Sequence, residues 1–117
     1  MLEEKGNELG RLIGQSPEYQ ALKRSSEALN GDREAVALLQ EMEKLRGEAQ
    51  QLIQRGENPT PEMEQQLDSM LEKIQAQTAY QRAVAAQENF DKLMMRVNQW
   101  IMDGMKKGAA SPIITLS

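Results

Sequence analysis

The chain has 117 residues, of which 39% are hydrophobic, 27% charged and only 3% aromatic, and its formal net charge is −4. It contains neither Cys nor His, which excludes imidazole- and thiolate-bound zinc, thiolate-held iron–sulfur centres, cysteine nucleophiles and Ser-His-Asp triads. The acidic balance argues against direct, phosphate-driven nucleic-acid binding, and no apolar run approaches the roughly 20 residues that span a bilayer.

The length fits one domain, expected over residues 1–108 with an extended tail at 109–117. Met1-Leu2-Glu3-Glu4-Lys5 lacks the apolar core of a signal peptide, so a cytoplasmic protein is expected, without membrane contact. Ala, Glu, Gln, Leu, Lys, Arg and Met dominate and β-branched residues are sparse, so the fold is expected to be all-α. With four aromatics in all, Leu, Ile, Met and Ala must supply nearly all the buried area. That favours an elongated helical hairpin or bundle of four to five helices, or an oligomer, over a compact globule.

A first helix is predicted over residues 2–13, with Leu2, Leu9, Leu12 and Ile13 on one stripe and Gly6 and Gly10 weakening it. Ser16-Pro17-Glu18 starts a second: Ser16 caps, Pro17 takes the first helical position where its missing N–H costs nothing, and Glu18 suits the dipole. This helix runs to about Leu29, where Asn30-Gly31 stops it. Asp32 then caps a third helix that reaches Arg55. Its apolar positions Ala35, Leu38, Met42, Leu45, Ala49 and Leu52 alternate at spacings of three and four, the seam of coiled-coil-like packing, widened by Leu39 and Ile53.

Gly56-Glu57-Asn58-Pro59 forms the next turn, and Thr60-Pro61-Glu62 repeats the cap-then-proline start, so a helical hairpin follows. The fourth helix carries Met63, Leu67, Met70, Leu71 and Ile74. Its stripe loses hydrophobes over residues 75–78, which reads as either a bend or a break, with Thr78 the best cap available. From Tyr80 the heptad resumes through Ala83, Gln87, Phe90, Met94, Val97 and Ile101, flanked by Leu93 and Trp100, and Gly108 ends it. Ile113-Ile114-Thr115-Leu116 reads as a frayed extended tail; strand addition to a neighbour or packing in a groove are the alternatives.

The candidate packing or oligomer seam is therefore Leu38, Met42, Leu45, Leu52, Leu67, Met70, Tyr80, Phe90, Leu93, Met94, Val97, Trp100 and Ile101. No catalytic, cofactor-binding or metal-binding residue is assigned. Glu57, Glu62, Glu64, Asp68 and Glu72 read as a solvated acidic face rather than a metal site, because di-metal carboxylate bundles add Glu-x-x-His motifs. A surface for a cation or a basic partner is the alternative. The eight Met residues fit core packing, with an adaptable interface as the alternative, and Trp100 fits either a core or oligomer contact or a partner hot spot. The thirteen Gln residues fit helix-compatible solubility.

Four fragments carry a resemblance: Leu9-Gly10-x-x-Ile13-x-x-Ser16-Pro17-Glu18-Tyr19; Asp32-x-Glu34-Ala35-x-x-Leu38-Leu39; Gln51-x-x-x-x-Gly56; and Tyr80-x-x-Ala83-x-x-x-Gln87-x-x-Phe90-x-x-Leu93-Met94-x-x-Val97-x-x-x-Ile101. In this order and spacing, over nearly the whole chain, the sequence resembles the YlbF/YmcA family of small bacterial helical proteins. The resemblance implies long packed helices, association with itself or with relatives, and a non-enzymatic regulatory role. In the best-known members that role is a complex with the endoribonuclease RNase Y that affects mRNA processing and, through it, competence, sporulation and biofilm formation. Iron–sulfur clusters associated with some members' complexes do not carry over, because this chain has no Cys to supply thiolates. A holdase-like or secretion-type chaperone, gripping clients through its Met-rich stripe, is the alternative function.

Overall fold

Each of the three cap signals in the sequence begins a helix. A computed structural model describes residues 1–110; residues 111–117, with the Ile113–Leu116 run, lie outside the described residues. Five helices follow one another: α1 (Leu2–Gly14), α2 (Pro17–Asn30), α3 (Arg33–Gln54), α4 (Pro61–Gln75) and α5 (Thr78–Ala110). The side chains of Ser16, Asp32 and Thr60 accept hydrogen bonds from the backbone N–H of Tyr19, Ala35 and Met63, each at 3.1 Å. Each thereby satisfies one of the donors that a helix start leaves unpaired.

The expected all-α, elongated architecture is what the described residues adopt, with no strand among them. The α3 end is closed by Gly56 at φ 80. There the Glu57 N–H donates to the Leu52 carbonyl and the Gly56 N–H to that of Ile53, the paired bonds of a Schellman turn. The region at 75–78 is a break. Thr78 does not cap α5 but is its first residue. Gln77 holds the cap position through its backbone carbonyl, which accepts from the Gln81 N–H. Gly108 does not end α5, which continues to Ala110 because glycine weakens a helix by only about 1 kcal/mol against alanine.

Two joints, α1–α2 and α4–α5, share one geometry. At the first, Gln20 Nε2 donates to the Gly14 carbonyl at 2.8 Å; at the second, Gln81 Nε2 donates to the Gln75 carbonyl at 2.7 Å. In each case the fourth residue of the new helix ties down the last carbonyl of the old one, which fixes the angle of the corner. A Tyr precedes the Gln in both, Tyr19 and Tyr80.

Packing joins α2 to α5 and α3 to α4, with smaller contacts between α2 and α3 and between α4 and α5; α1 makes its principal contact with α2. The start of α2 lies on the middle of α5, where Glu18 pairs with Arg96 at 3.6 Å and the Tyr19 and Phe90 rings meet edge to face at 5.8 Å. The half-buried positions of α5 before Phe90 (Ala79, Tyr80, Ala83) and the bare turns after Val97 set the direction: α2 runs antiparallel toward the N-terminus of α5.

The molecule measures 67 × 36 × 19 Å with a radius of gyration of 21.7 Å, where a compact 100-residue domain has about 13 Å. It exposes 9395 Å², against about 6,400 Å² for a compact monomer of its 13.2 kDa mass.

Two glycines separate turn from helix. At Gly56 the positive φ strains any side chain, so Gly56→Ala is expected to cost about 1–2 kcal/mol. Gly47 lies inside α3 with open space where a Cβ would sit, so Gly47→Ala is expected to stabilise by up to about 1 kcal/mol. Urea unfolding monitored by helical circular dichroism reads both signs.

Candidate interaction surface

The buried residues are small or flexible: Ala35, Met42 and Ala49 on α3, Ile74 at the end of α4, and Ala86 and Val97 on α5. On α3 they recur every seventh residue, so one line of the helix faces inward throughout its length. Alanines on that line let a neighbouring helix approach closely while contributing little apolar area of their own. No described buried side-chain polar atom lacks a hydrogen-bond partner, and no described cluster of three or more carboxylates is arranged to hold a metal ion.

The predicted seam residues divide by exposure. Met42 and Val97 are buried, and Leu38, Leu45, Leu52, Leu67, Met70, Tyr80, Phe90, Leu93 and Met94 are half-buried. The structure brings them together in two places, the α3–α4 hairpin and the α2–α5 pair. Trp100 and Ile101 belong to neither: they are 60% and 45% exposed, because α2 begins near Arg96 and leaves the later turns of α5 bare. Ile53, expected to widen the α3 seam, is likewise exposed.

One heptad position also shifts. Gln87 is exposed and its amide donates to Asp91 at 2.9 Å, while its neighbour Ala86 is buried. The α5 line on which the fold relies is Ala79, Ala83, Ala86, Phe90, Leu93 and Val97, since close approach of α2 favours the small side chain over the amide. The α2 partner line was not apparent in the sequence. Its half-buried residues are Glu18, Leu22, Ser25 and Leu29. The four-three-four spacing was present, but two polar members masked it.

Between α3 and α4 lies an open groove of about 800 Å³, with Leu45 and Met70 among Glu41, Lys44, Glu48, Glu62 and Lys73. Its mixed charge and apolar residues suit contact with a polypeptide better than enclosure of a small ligand. Glu57, Glu62, Glu64, Asp68 and Glu72 are all exposed, and of these Glu62 borders the groove.

The larger uncovered surface is apolar. Residues 98–110 of α5, about 20 Å of helix, carry Trp100, Ile101, Met102 and Met105 in the open, and α1 carries Leu2 and Leu12 in the open. No described helix is long and apolar enough to cross a membrane. Exposed apolar surface of this extent is characteristic of interaction sites.

Comparison with known proteins gives this geometry a context. Residues 2–106 match the family model described as control of competence regulator ComK, YlbF/YmcA. The chain is similar to UPF0342 proteins of three streptococci. It is 43% identical over 70 residues to that of Streptococcus gordonii, covering 60% of this chain and 62% of the relative. It is 32% identical over 97 residues to that of Streptococcus sanguinis, with coverage of 83% and 87%. It is 38% identical over 82 residues to that of Streptococcus mutans, with coverage of 70% and 73%. The match to the first of these thus spans less than two-thirds of that relative's length.

The shifted heptad position is directly testable. Phe90→Asp places a charge against Tyr19 in the α2–α5 contact and is expected to lower the thermal midpoint strongly or abolish folding. Gln87→Ala, one turn away on the surface, is expected to change stability by no more than about 0.5 kcal/mol. Ala86→Gln, which forces a longer amide into the buried position, is expected to lower the thermal midpoint where Gln87→Ala does not, and melting these two side by side distinguishes Ala86 from Gln87 as the seam position.

Proposed function

The chain belongs to the YlbF/YmcA family, and we propose that it is a non-enzymatic helical adaptor that associates with itself or with related chains and presents a helix face to a protein partner. The observation that carries this reading is the bare end of α5, residues 98–110, where the seam that α2 covers up to Val97 continues uncovered through Trp100 and Ile101. A regulatory role is supported by the family's description as control of competence regulator ComK.

The partner proposed is an endoribonuclease of the RNase Y type. Any connection to RNA then runs through that protein, because a net charge of −4 disfavours direct contact with phosphates. The lack of Cys and His supports a role without catalysis, leaving carboxylates such as Glu62 and Asp68 as the residual candidates for acid–base chemistry. Cytoplasmic placement follows from the same partner.

Affinity purification of the tagged chain from its native cell, with light scattering of the purified protein, tests the reading. The expected result is a dimer or larger species at micromolar concentration that retains an RNase Y-type endoribonuclease and related family members. A stable monomer that retains none of them overturns it. Suppression of aggregation of unrelated denatured proteins points instead to the chaperone that the exposed Met95, Met102 and Met105 would equally serve, and turnover abolished by Glu62→Gln or Asp68→Asn points to an enzyme.

A further inference from the structure

Two bare helices of matching length leave the same end of the α2–α5 pair. One is α1, with 13 residues, and the other is the α5 overhang, residues 98–110. Positions along one line of each mirror each other: Leu2, Gly6 and Leu9 on α1, and Gly108, Gly104 and Ile101 read backwards along α5. Both runs have spacings of four and three. In an antiparallel pairing every member of one line meets a member of the other. Gly6 falls opposite Gly104, Leu9 opposite Ile101, and Trp100 comes beside Leu12.

The glycines strengthen the match. Gly6, Gly10 and Gly104 lie inside helices, where each costs about 1 kcal/mol against alanine. Yet a Cβ at any of the three would meet nothing within 4 Å. As at Gly47, their own chain gives no packing reason for the missing side chains; at Gly6 and Gly104, which fall opposite each other, close approach of another helix supplies one. The same pairing also sets the acidic first turn of α1, Glu3 and Glu4, level with Lys106 and Lys107 at the end of α5, and none of these four is in an ion pair among the described residues.

A chain cannot make this contact with itself while its corner holds. Pro17, the Ser16 cap and the Gln20 bond to the Gly14 carbonyl fix the direction of α1, and along that direction Leu2 stays 87% and Leu12 66% exposed. We propose that α1 of one copy packs antiparallel along the α5 overhang of a second copy, and reciprocally, closing a two-fold dimer through a four-helix contact. The proposal specifies the interface of the self-association put forward above and rests on that part of the reading. The surface suffices: the chain exposes roughly 3,000 Å² more than a compact monomer, and a standard interface needs about 800 Å² from each partner.

The chain has no Cys, so single-cysteine variants report contacts without background. Leu9→Cys and Ile101→Cys preparations are mixed, allowed to exchange subunits and oxidised. The expected result is a disulfide-linked dimer in the mixture and little in either preparation alone, since a disulfide requires Cα atoms within about 7 Å. Efficient cross-linking of Ile101→Cys alone means that the overhangs pair with each other, and overturns the proposal. So does an internal disulfide in the Leu9→Cys/Ile101→Cys double variant without a change in mass, which means closure within one chain.

Trp100→Asp with Met105→Asp changes only exposed side chains, so the helical signal is expected to persist while dimer affinity falls at least ten-fold. A dimer unaffected by this pair lies on another surface, which overturns the interface and leaves the adaptor reading standing. A wild-type chain that is monomeric at every concentration removes the interface, and the adaptor reading with it where that monomer also retains no partner. A chain ending at Ala110 that dimerises where the full chain does not assigns the bare face to residues 111–117 instead.

Discussion

A helix of 14 residues laid antiparallel along one of 33 leaves the end of the longer helix, residues 98–110, without a partner, and most of the molecule's shape follows from that inequality. The Tyr19–Phe90 ring contact and the Glu18–Arg96 pair mark where the overlap ends. On one side of that point α5 has α2 against it and its line is buried or half-buried. On the other, Ile101 and Gly104 of the same line stand in the open. The ion pair adds little to this arrangement, because both partners retain solvent and exposed pairs contribute at most about 1 kcal/mol. The rings and the alanines that let α2 approach carry the contact.

The corners convert this pair into an elongated body. Because the Gln20 and Gln81 amides tie each new helix to the last carbonyl of the old one, α1 and α4 leave α2 and α5 at fixed directions. The α3–α4 hairpin then packs chiefly on itself, with Gly56 reversing the chain. The result is two helix pairs joined by smaller contacts rather than one shared core. This explains how four aromatics suffice: no wide central space has to be filled, and residues as small as Ala35, Ala49 and Ala86 complete the close-packed lines.

How much of this was legible in the sequence depended on the range of the forces involved. Ser16, Asp32 and Thr60 act on N–H groups three residues away, so their grammar is local and the helix starts were readable to a residue. In sequence the α4–α5 corner reads as either a bend or a break, because its stabilising bond spans six residues, from Gln81 to Gln75, and has no signature in helix propensity. The heptad frame of α5 was ambiguous for a different reason. Ala83, Phe90 and Val97 belong to both possible frames, and only the approach of α2 selects Ala86 over Gln87. For the interaction surface, the periodicity puts Phe90, Leu93, Met94 and Val97 on one stripe, and all four are buried or half-buried, but periodicity carries no information on where a covering helix stops. Trp100 and Ile101 look like further turns of the same seam because, in residue type and spacing, they are.

That continuity bears on what the bare face is for. Ala83, Phe90, Val97 and Gly104 recur every seventh residue along α5, and the first three contact or approach other helices of the chain while the fourth stands free. In the covered half, small residues at Ala79, Ala83 and Ala86 admit α2 and larger ones at Phe90 and Leu93 fill the space beside it. The uncovered half has the same composition in miniature, with Gly104 and Gly108 as the small positions and Trp100, Ile101 and Met105 as the large ones. A helix face meant for water has no need of alternating small and large apolar groups, since polar side chains of good helix propensity would serve better. The pattern is that of a packing surface, and a helix arriving on it would find the conditions that α2 already meets in the folded chain.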